Sequence, residues 1–293
     1  MIYYYGEVLF INISQYFTTK EISGRTVLIT GAAGGIGKNL VEKFVDLKCT
    51  VLCLDKNQLE LKKLQTKYKS SNQIETYCVN LCSIDDIRQC CEQIRSKYGL
   101  VDIVINNAGI VNNGKMLVNL EDEEIANIFD VNIMSYIRIC KEFLPKMIEL
   151  NQGHIVNVSS ILGLMGSYKL CDYSATKFAV NGFTESMRNE LKCSNSENKI
   201  KVTLVCPFHV RTEMFKGIEF FRFKWAGLSM SPKYVADRIV NGILYEKELV
   251  LVPSLWSSIF FGFKNLLTTK FCDHALEKLK VHESMNMLKA KTF

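Results

Sequence analysis

The chain has 293 residues, 48% of them hydrophobic and 23% charged, with a formal net charge of +6. That length can bury ~75% of its unfolded surface around one core. The modest charge, with no dense basic stripe interleaved with aromatics, argues against a nucleic-acid partner. Eleven cysteines without a Cys-x-x-Cys pair, and four scattered histidines, read as reduced packing thiols with neither a disulfide framework nor a metal site.

Residues Met1 to Phe17 are apolar, with Tyr3, Val8, Leu9, Phe10, Ile11 and Phe17 and only Glu7 charged. As a helix this stretch spans ~25 Å, short of the ~30 Å hydrocarbon core of a bilayer. It lacks a basic start and a small-residue cleavage site, so it reads as a membrane-associating segment and not a cleaved signal. Arg25 to Thr30 is a short apolar run with the character of a buried strand. Gly31-Ala32-Ala33-Gly34-Gly35-Ile36-Gly37 follows at once, and Lys38 to Leu47 then has helical spacing. Strand, Gly-rich turn and helix in that order make an anion site: the backbone can approach a pyrophosphate, and unpaired helix N–H groups point at it. The strand Thr50 to Leu54 ends on Asp55, placed to accept hydrogen bonds from the adenosine ribose hydroxyls and to repel a 2′-phosphate. NAD is therefore expected over NADP, although Lys56 offsets part of the repulsion and keeps NADP open.

Further strands are predicted over Ile74 to Val79, Asp102 to Asn106, His154 to Ser159, Lys201 to Val205 and Leu249 to Val252. Helices begin near Leu59, Asp85, Glu121, Tyr173 and Tyr234. The alternation implies one α/β domain with a parallel sheet covered by helices on both faces. Within the helix at Tyr173, residues i and i+4 share a face, so the Tyr173 phenol and the Lys177 ammonium address one small volume. A free phenol titrates near ~10, and an adjacent cation is expected to lower that value toward neutrality. After the last strand, Pro253 precedes Leu255, Trp256, Ile259, Phe260, Phe263, Leu266 and Leu267, which would line one helical face with Lys264 and Lys270 beside it. Such a tail suits a membrane interface, and equally a helix packed over the substrate cleft.

Together these residues resemble the short-chain dehydrogenase/reductase family. Thr30 to Gly37 matches its cofactor turn, Asn106-Asn107-Ala108-Gly109 its fourth-strand motif, and Asn132 its fourth catalytic position. Ser160 stands thirteen residues before Tyr173, and Tyr173-x-x-x-Lys177 completes the set. Pro207-Phe208-His209-Val210-Arg211-Thr212 corresponds to a Pro-Gly-x-x-x-Thr segment, with Phe208 in place of Gly; Asn80 stands where many members carry an Asp near the adenine. The resemblance implies a doubly wound Rossmann domain with a seven-stranded parallel sheet over residues 24–252, an N-terminal membrane-associating segment 1–23 and an amphipathic tail 253–293.

It also implies the roles. Tyr173 is the proton donor or acceptor; Lys177 lowers its pKa and holds the nicotinamide ribose. Ser160 polarises the substrate oxygen, and Asn132 positions a relay water. Gly31, Gly35, Ile36, Gly37, Asp55, Asn80, Asn107, Ala108, Gly109 and Thr212 join Tyr173 and Lys177 in holding NAD, or NADP in its place. Within the family the nearest resemblance is to lipid-droplet 17β-hydroxysteroid dehydrogenases and epidermal retinol dehydrogenases, through Leu54-Asp55-Lys56-Asn57, Cys206-Pro207-Phe208, Val210 to Met214 and Val252-Pro253-Ser254. That subgroup implies a retinol- or sterol-like alcohol, an endoplasmic reticulum or lipid-droplet surface with the catalytic domain facing the cytosol, and a homodimer. Phe215, Phe220, Phe221, Phe223 and Trp225 suit either an apolar ligand or a membrane. Two alternatives remain: a 3-oxoacyl thioester reductase using Lys216, Arg222 and Lys224, and a non-catalytic lipid-surface binding protein.

Overall fold

The computed structural model describes residues 19–112, 114–215 and 229–254, with Ser257, Ser258, Gly262, Lys270, His274 and Glu277 beyond them. The apolar N-terminal segment, the aromatic and basic residues 216–228 and most of the C-terminal tail lie outside these described residues.

Seven strands form one parallel sheet: β1 Thr26–Thr30, β2 Thr50–Asp55, β3 Ile74–Cys78, β4 Ile103–Asn106, β5 His154–Val158, β6 Lys201–Pro207 and β9 Leu249–Val252. Their spatial order is β3-β2-β1-β4-β5-β6-β9. The central strands are buried along nearly their whole length because helices cover both faces, which is why their apolar residues read as near-continuous runs and not as alternating patterns. One face is covered by α1 Gly35–Asp46 and α7 Pro232–Leu244, which pack on each other. Leu40, Val41 and Phe44 meet Val235, Ile239 and Ile243 in that layer. The opposite layer holds α3 Ile84–Tyr98, α5 Ser135–Leu150 and α6 Cys171–Ser194, which bury Ile87, Cys91, Ile139, Phe143 and Met187. A shorter helix, α2 Gln58–Lys67, is capped by the Asn57 side chain, which accepts from Glu60 N at 3.1 Å.

Strand order reverses between β1 and β4, where Leu28 pairs with Val104 and Ile29 with Ile105. The carboxyl ends of these two strands open a crevice at the switch point, the place where open α/β sheets bind ligands.

Two departures from the sequence reading matter to the site. The helix expected from Glu121 onward is broken. It runs as α4 Asp122–Phe129, a π turn over Asp130–Met134, and then α5. The second departure is a small parallel pair, β7 His209–Val210 with β8 Ser229–Met230, which frames the segment after Thr212. Ten cysteines among the described residues are free, and Cys49, Cys53, Cys90, Cys91, Cys140 and Cys206 are buried as packing groups.

Candidate active site

The Gly-rich turn begins where β1 ends. Gly31 takes φ +64°, and a methyl group there would lie 2.9 Å from the Ala108 Cα, so the β4 loop packs directly on the turn. A Cβ on Gly37 would come within 2.1 Å of the Gly31 carbonyl oxygen. These contacts hold α1 with its N-terminus at the crevice. Gly34 caps that helix without a side-chain hydrogen bond, and no acidic residue occupies its first turn. The first N–H groups of α1 thus have no side-chain acceptor, and the turn is polar, cationic in field and close-packed, as a pyrophosphate requires. The residues present fit a dinucleotide. Ile36 points its side chain into the core, leaving only backbone to face such a ligand. Thr212 lies against the same turn, its Cγ2 2.8 Å from where a Cβ on Gly35 would be.

Asp55 ends β2 with both oxygens engaged: one accepts from Ala33 N at 3.0 Å, the other from Asn57 N at 2.9 Å. The carboxylate therefore stands beside the Gly-rich turn, as its place at the strand tip predicts. Asn80 is exposed just beyond β3, and its amide oxygen accepts from Cys82 N at 3.2 Å. The acceptor that sequence reasoning offered to an adenine amino group is thus committed in part to a local turn.

Asn107, Ala108 and Gly109 leave β4 beneath the turn. Asn107 N and Ala108 N donate to Thr30 Oγ at 2.9 and 3.0 Å, and Asn107 Nδ2 donates to Thr30 O at 2.9 Å. One threonine hydroxyl thus joins the two strand ends, a role the sequence did not single out. A Cβ on Gly109 would be 3.5 Å from Asn132 Oδ1, 3.7 Å from Lys177 Nζ and 3.8 Å from the Met214 methyl. The β4 loop, the π turn, α6 and the segment after Thr212 converge there.

Tyr173 and Lys177 are one turn apart on α6 and are 4% and 3% exposed, so both head groups are withdrawn from water. Lys177 Nζ donates to Val158 O at 3.0 Å and lies 5.7 Å from the centroids of both the Tyr173 and Tyr136 rings. Tyr136, fully buried, donates its hydroxyl to Ala108 O at 2.8 Å and reaches Val158 O at 3.2 Å. Ser160 follows β5; its Oγ accepts from Leu162 N at 3.1 Å. Ser159 instead turns inward and donates to Lys177 O at 3.1 Å, so Ser160 is the serine beside Tyr173.

Burial pushes the Tyr173 phenol up to about 12, with a hydrogen bond from Ser160 opposing it; burial likewise pulls Lys177 down to about 8. The lowered phenol pKa expected from the i, i+4 spacing is therefore corrected. Withdrawal of both groups from water dominates, and the ammonium is bonded to a strand carbonyl instead of the phenol.

Asn132 is fully buried in the π turn. Its Oδ1 accepts from Ile110 N at 2.8 Å, while its Nδ2 donates to Ile110 O at 3.0 Å and Thr176 Oγ at 3.1 Å. Beyond these polar groups, Tyr173 faces Ile110, Val111, Leu170, Leu162, Met214 and Phe215. The Phe215 ring meets it edge-on at 5.9 Å. Among the described residues, no group of three or more His, Cys, Asp or Glu could hold a metal ion.

Residues 25–220 match the family described as short chain dehydrogenase. The chain belongs to the short-chain dehydrogenases/reductases. Its relatives include short-chain dehydrogenase/reductase family 16C member 6 of Bos taurus, 34% identical over 271 residues, 92% of this chain and 84% of that protein. Epidermal retinol dehydrogenase 2 of Homo sapiens is 34% identical over 253 residues, 86% of this chain and 81% of its own length. Human estradiol 17-beta-dehydrogenase 11 is 32% identical over 236 residues, 80% and 77% of the two chains. Among solved structures, a short-chain dehydrogenase from Streptomyces avermitilis superposes with a TM-score of 0.72 at 24% identity, over 89% of this chain and 98% of that one. Another, from Burkholderia phymatum in complex with NAD, gives 0.72 at 21% identity over 82% and 93%. These likenesses establish the doubly wound fold. As a member of the family, the chain is a nicotinamide-dependent oxidoreductase of alcohols and carbonyls.

Proposed function

We propose that this short-chain dehydrogenase interconverts a lipophilic alcohol of retinol or sterol type and its carbonyl, with Tyr173, Lys177, Ser160 and Asn132 as its working residues. The observation that carries this reading is the wall around the buried phenol. Ile110, Val111, Leu162, Leu170, Met214 and Phe215 cluster with Tyr173, and none of them carries a charge. A polar substrate would lose its hydration there without recompense. Relatives named for retinol and estradiol point the same way.

Tyr173, held protonated through the neutral range, is suited to donating its proton to a carbonyl oxygen, and in the reverse direction its phenolate would take the alcohol proton. Ser160, which accepts from Leu162 N and is hydrogen-bonded to Tyr173, would hold the same substrate oxygen. Lys177 would hold the nicotinamide ribose and place positive charge below the phenol. The bound nicotinamide would supply the hydride chemistry. The α1 N-terminus, Gly31, Gly35, Gly37, Asn107 to Gly109 and Thr212 would hold the dinucleotide, with Asp55 favouring NAD over NADP.

We read residues 1–23 and 253–293 as the parts that hold a catalytic domain, residues 24–252, on an endoplasmic reticulum or lipid-droplet surface facing the cytosol. The apolar composition of both ends supports this; no helix among the described residues is long and apolar enough to cross a membrane. A homodimer through α4, α5 and α6 fits the exposure of Met134 in the π turn, Ile148 on α5 and Phe178 on α6.

The test is turnover by detergent-solubilised full-length protein with NAD and NADP against retinol, sterols and long-chain alcohols. Oxidation of at least one lipophilic alcohol is expected. Activity confined to 3-oxoacyl thioesters would replace this reading. Recovery of the whole protein in a high-speed supernatant without detergent would remove its membrane part.

A further inference from the structure

We propose that Thr176, a residue within the Tyr173–Lys177 turn, is a positioning residue for hydride transfer: its hydroxyl locks Asn132 and thereby sets the distance between Tyr173 and the Ile110 wall of the substrate site. The proposal rests on the oxidoreductase reading above and concerns how the same site is held together.

Thr176 is fully buried and has one hydroxyl proton, which it gives to the Tyr173 carbonyl at 2.7 Å. Toward Asn132 its oxygen can therefore act only as an acceptor. That fixes which end of the amide faces α6: Nδ2 donates to Thr176 at 3.1 Å, leaving Oδ1 to receive Ile110 N at 2.8 Å. The second Nδ2 proton goes to Ile110 O at 3.0 Å. The result is one directed line of hydrogen bonds running from the Ile110 backbone through Asn132 and Thr176 to the Tyr173 backbone. Ile110 packs in the same apolar cluster as Tyr173, so this line ties the wall that would hold the substrate to the helix that carries the phenol. The π turn is what lets Asn132 reach both partners, because it sets that side chain off the regular helical register. Both amide protons of Asn132 are spent on this bracing. Its side chain can offer a relay water only acceptor capacity at Oδ1.

An isosteric Thr176→Val removes the donor to Tyr173 O and the acceptor for Asn132 together, and leaves a buried N–H without a partner. Thr176→Ser keeps both bonds. Misplacement of reacting groups by a fraction of an ångström predicts a ~10- to 100-fold fall in kcat for Thr176→Val. Thr176 is not itself among the residues that would hold the dinucleotide, so the dissociation constant for NAD should change far less than kcat, and Thr176→Ser should return kcat to within about threefold of wild type. Combining Thr176→Val with Asn132→Ala should cost no more than the worse single change, since both cut one line.

Amide hydrogen exchange at Ile110 provides a readout that needs no turnover. It should speed up in Thr176→Val and Asn132→Ala and stay slow in Thr176→Ser. Equal kcat for wild type and Thr176→Val, equal losses for Val and Ser, or unchanged exchange at Ile110 would each overturn the proposal. If wild type turned over no alcohol or carbonyl, the functional reading would fall and the kinetic half of this proposal with it. Exchange at Ile110 would then decide the bracing by itself. Thermal melting of each variant shows whether a loss reflects the site or the whole fold.

Discussion

Lys177 gives its ammonium to the carbonyl of Val158 at 3.0 Å. The charge that serves α6 is thereby anchored on the last residue of β5, so the separation of helix and sheet fixes where it stands beneath Tyr173. Tyr136 approaches the same carbonyl from the other side at 3.2 Å and places its ring 5.7 Å from the ammonium. A lysine so placed keeps a partner without forming an ion pair, and both of its neighbours are buried.

Removing the phenolic proton while keeping the ring isolates the acid–base step proposed for Tyr173. Tyr173→Phe is expected to lower kcat by ~10²–10⁴ while NAD binding changes little, because the ring still fills its place against Phe215. Steady-state kinetics with the best alcohol, alongside cofactor titration by fluorescence, checks both halves. Retention of more than about a tenth of wild-type turnover would show that another group moves the proton.

The pH dependence follows from burial. Lys177 is pulled down to about 8, so it is charged below that pH and neutral above it; Tyr173 is pushed up to about 12 and keeps its proton throughout the neutral range. On the proposed mechanism, carbonyl reduction needs the protonated phenol and gains from the cation. Its kcat should therefore be level near neutrality and fall as pH rises through about 8. On the same mechanism alcohol oxidation needs the phenolate, so it should rise with pH toward about 12. Measured kcat profiles in both directions decide this; a reduction rate that climbs with pH would sink the assignment of Tyr173 as acid.

The proposed preference for NAD over NADP rests on the charge of Asp55. Asp55 stands beside the Gly-rich turn, bonded to Ala33 N, where a 2′-phosphate would meet its carboxylate. Asp55→Asn keeps an acceptor and removes the repulsion. The ratio of kcat/KM for NADP over NAD should rise at least ~10-fold, equivalent to ~1.4 kcal/mol. No movement in that ratio would place the discrimination elsewhere, with Lys56 next to be tested.

Much of this was readable from residues because the fold repeats one local rule. Strands buried on both faces show as unbroken apolar runs such as Val27-Leu28-Ile29 and Val51 to Leu54, and each carboxyl end that carries function shows as an abrupt polar or Gly-rich break. Tyr173 and Lys177 were legible because helical periodicity alone puts them on one face. The π turn was not. Apolar spacing continues from Ile125 to Met147 through Asp130–Met134, and a shift to i→i+5 bonding leaves no mark in composition. Nor could spacing disclose that Asn132 spends its amide on Ile110 and Thr176, partners 22 and 44 residues away. The direction of the Tyr173 shift also escaped, because it depends on how deeply a folded chain withdraws the phenol from water.

Far from the crevice, His154 begins β5 fully buried, and its Nε2 lies 2.7 Å from Thr203 Oγ. The Thr203 hydroxyl already donates to Lys247 O at 2.6 Å, so His154 must be the donor through Nε2 and carry its lone pair on Nδ1, which has no hydrogen-bond partner. Burial first, then the charges of Lys20 and Lys201, pulls this imidazole down to about 3. The unfolded chain takes up the proton near ~6.5 and the folded chain does not, so the unfolded state binds more protons between those values. Stability then falls with falling pH across that window. From about pH 6.5 to 5.5 the loss attributable to His154 is ~1 kcal/mol. Urea denaturation at the two pH values, for wild type and His154→Gln, measures it: the variant can still donate to Thr203 but has nothing to titrate, so its stability should drop by ~1 kcal/mol less. Equal drops in the two proteins would mean that acid sensitivity originates at another buried group.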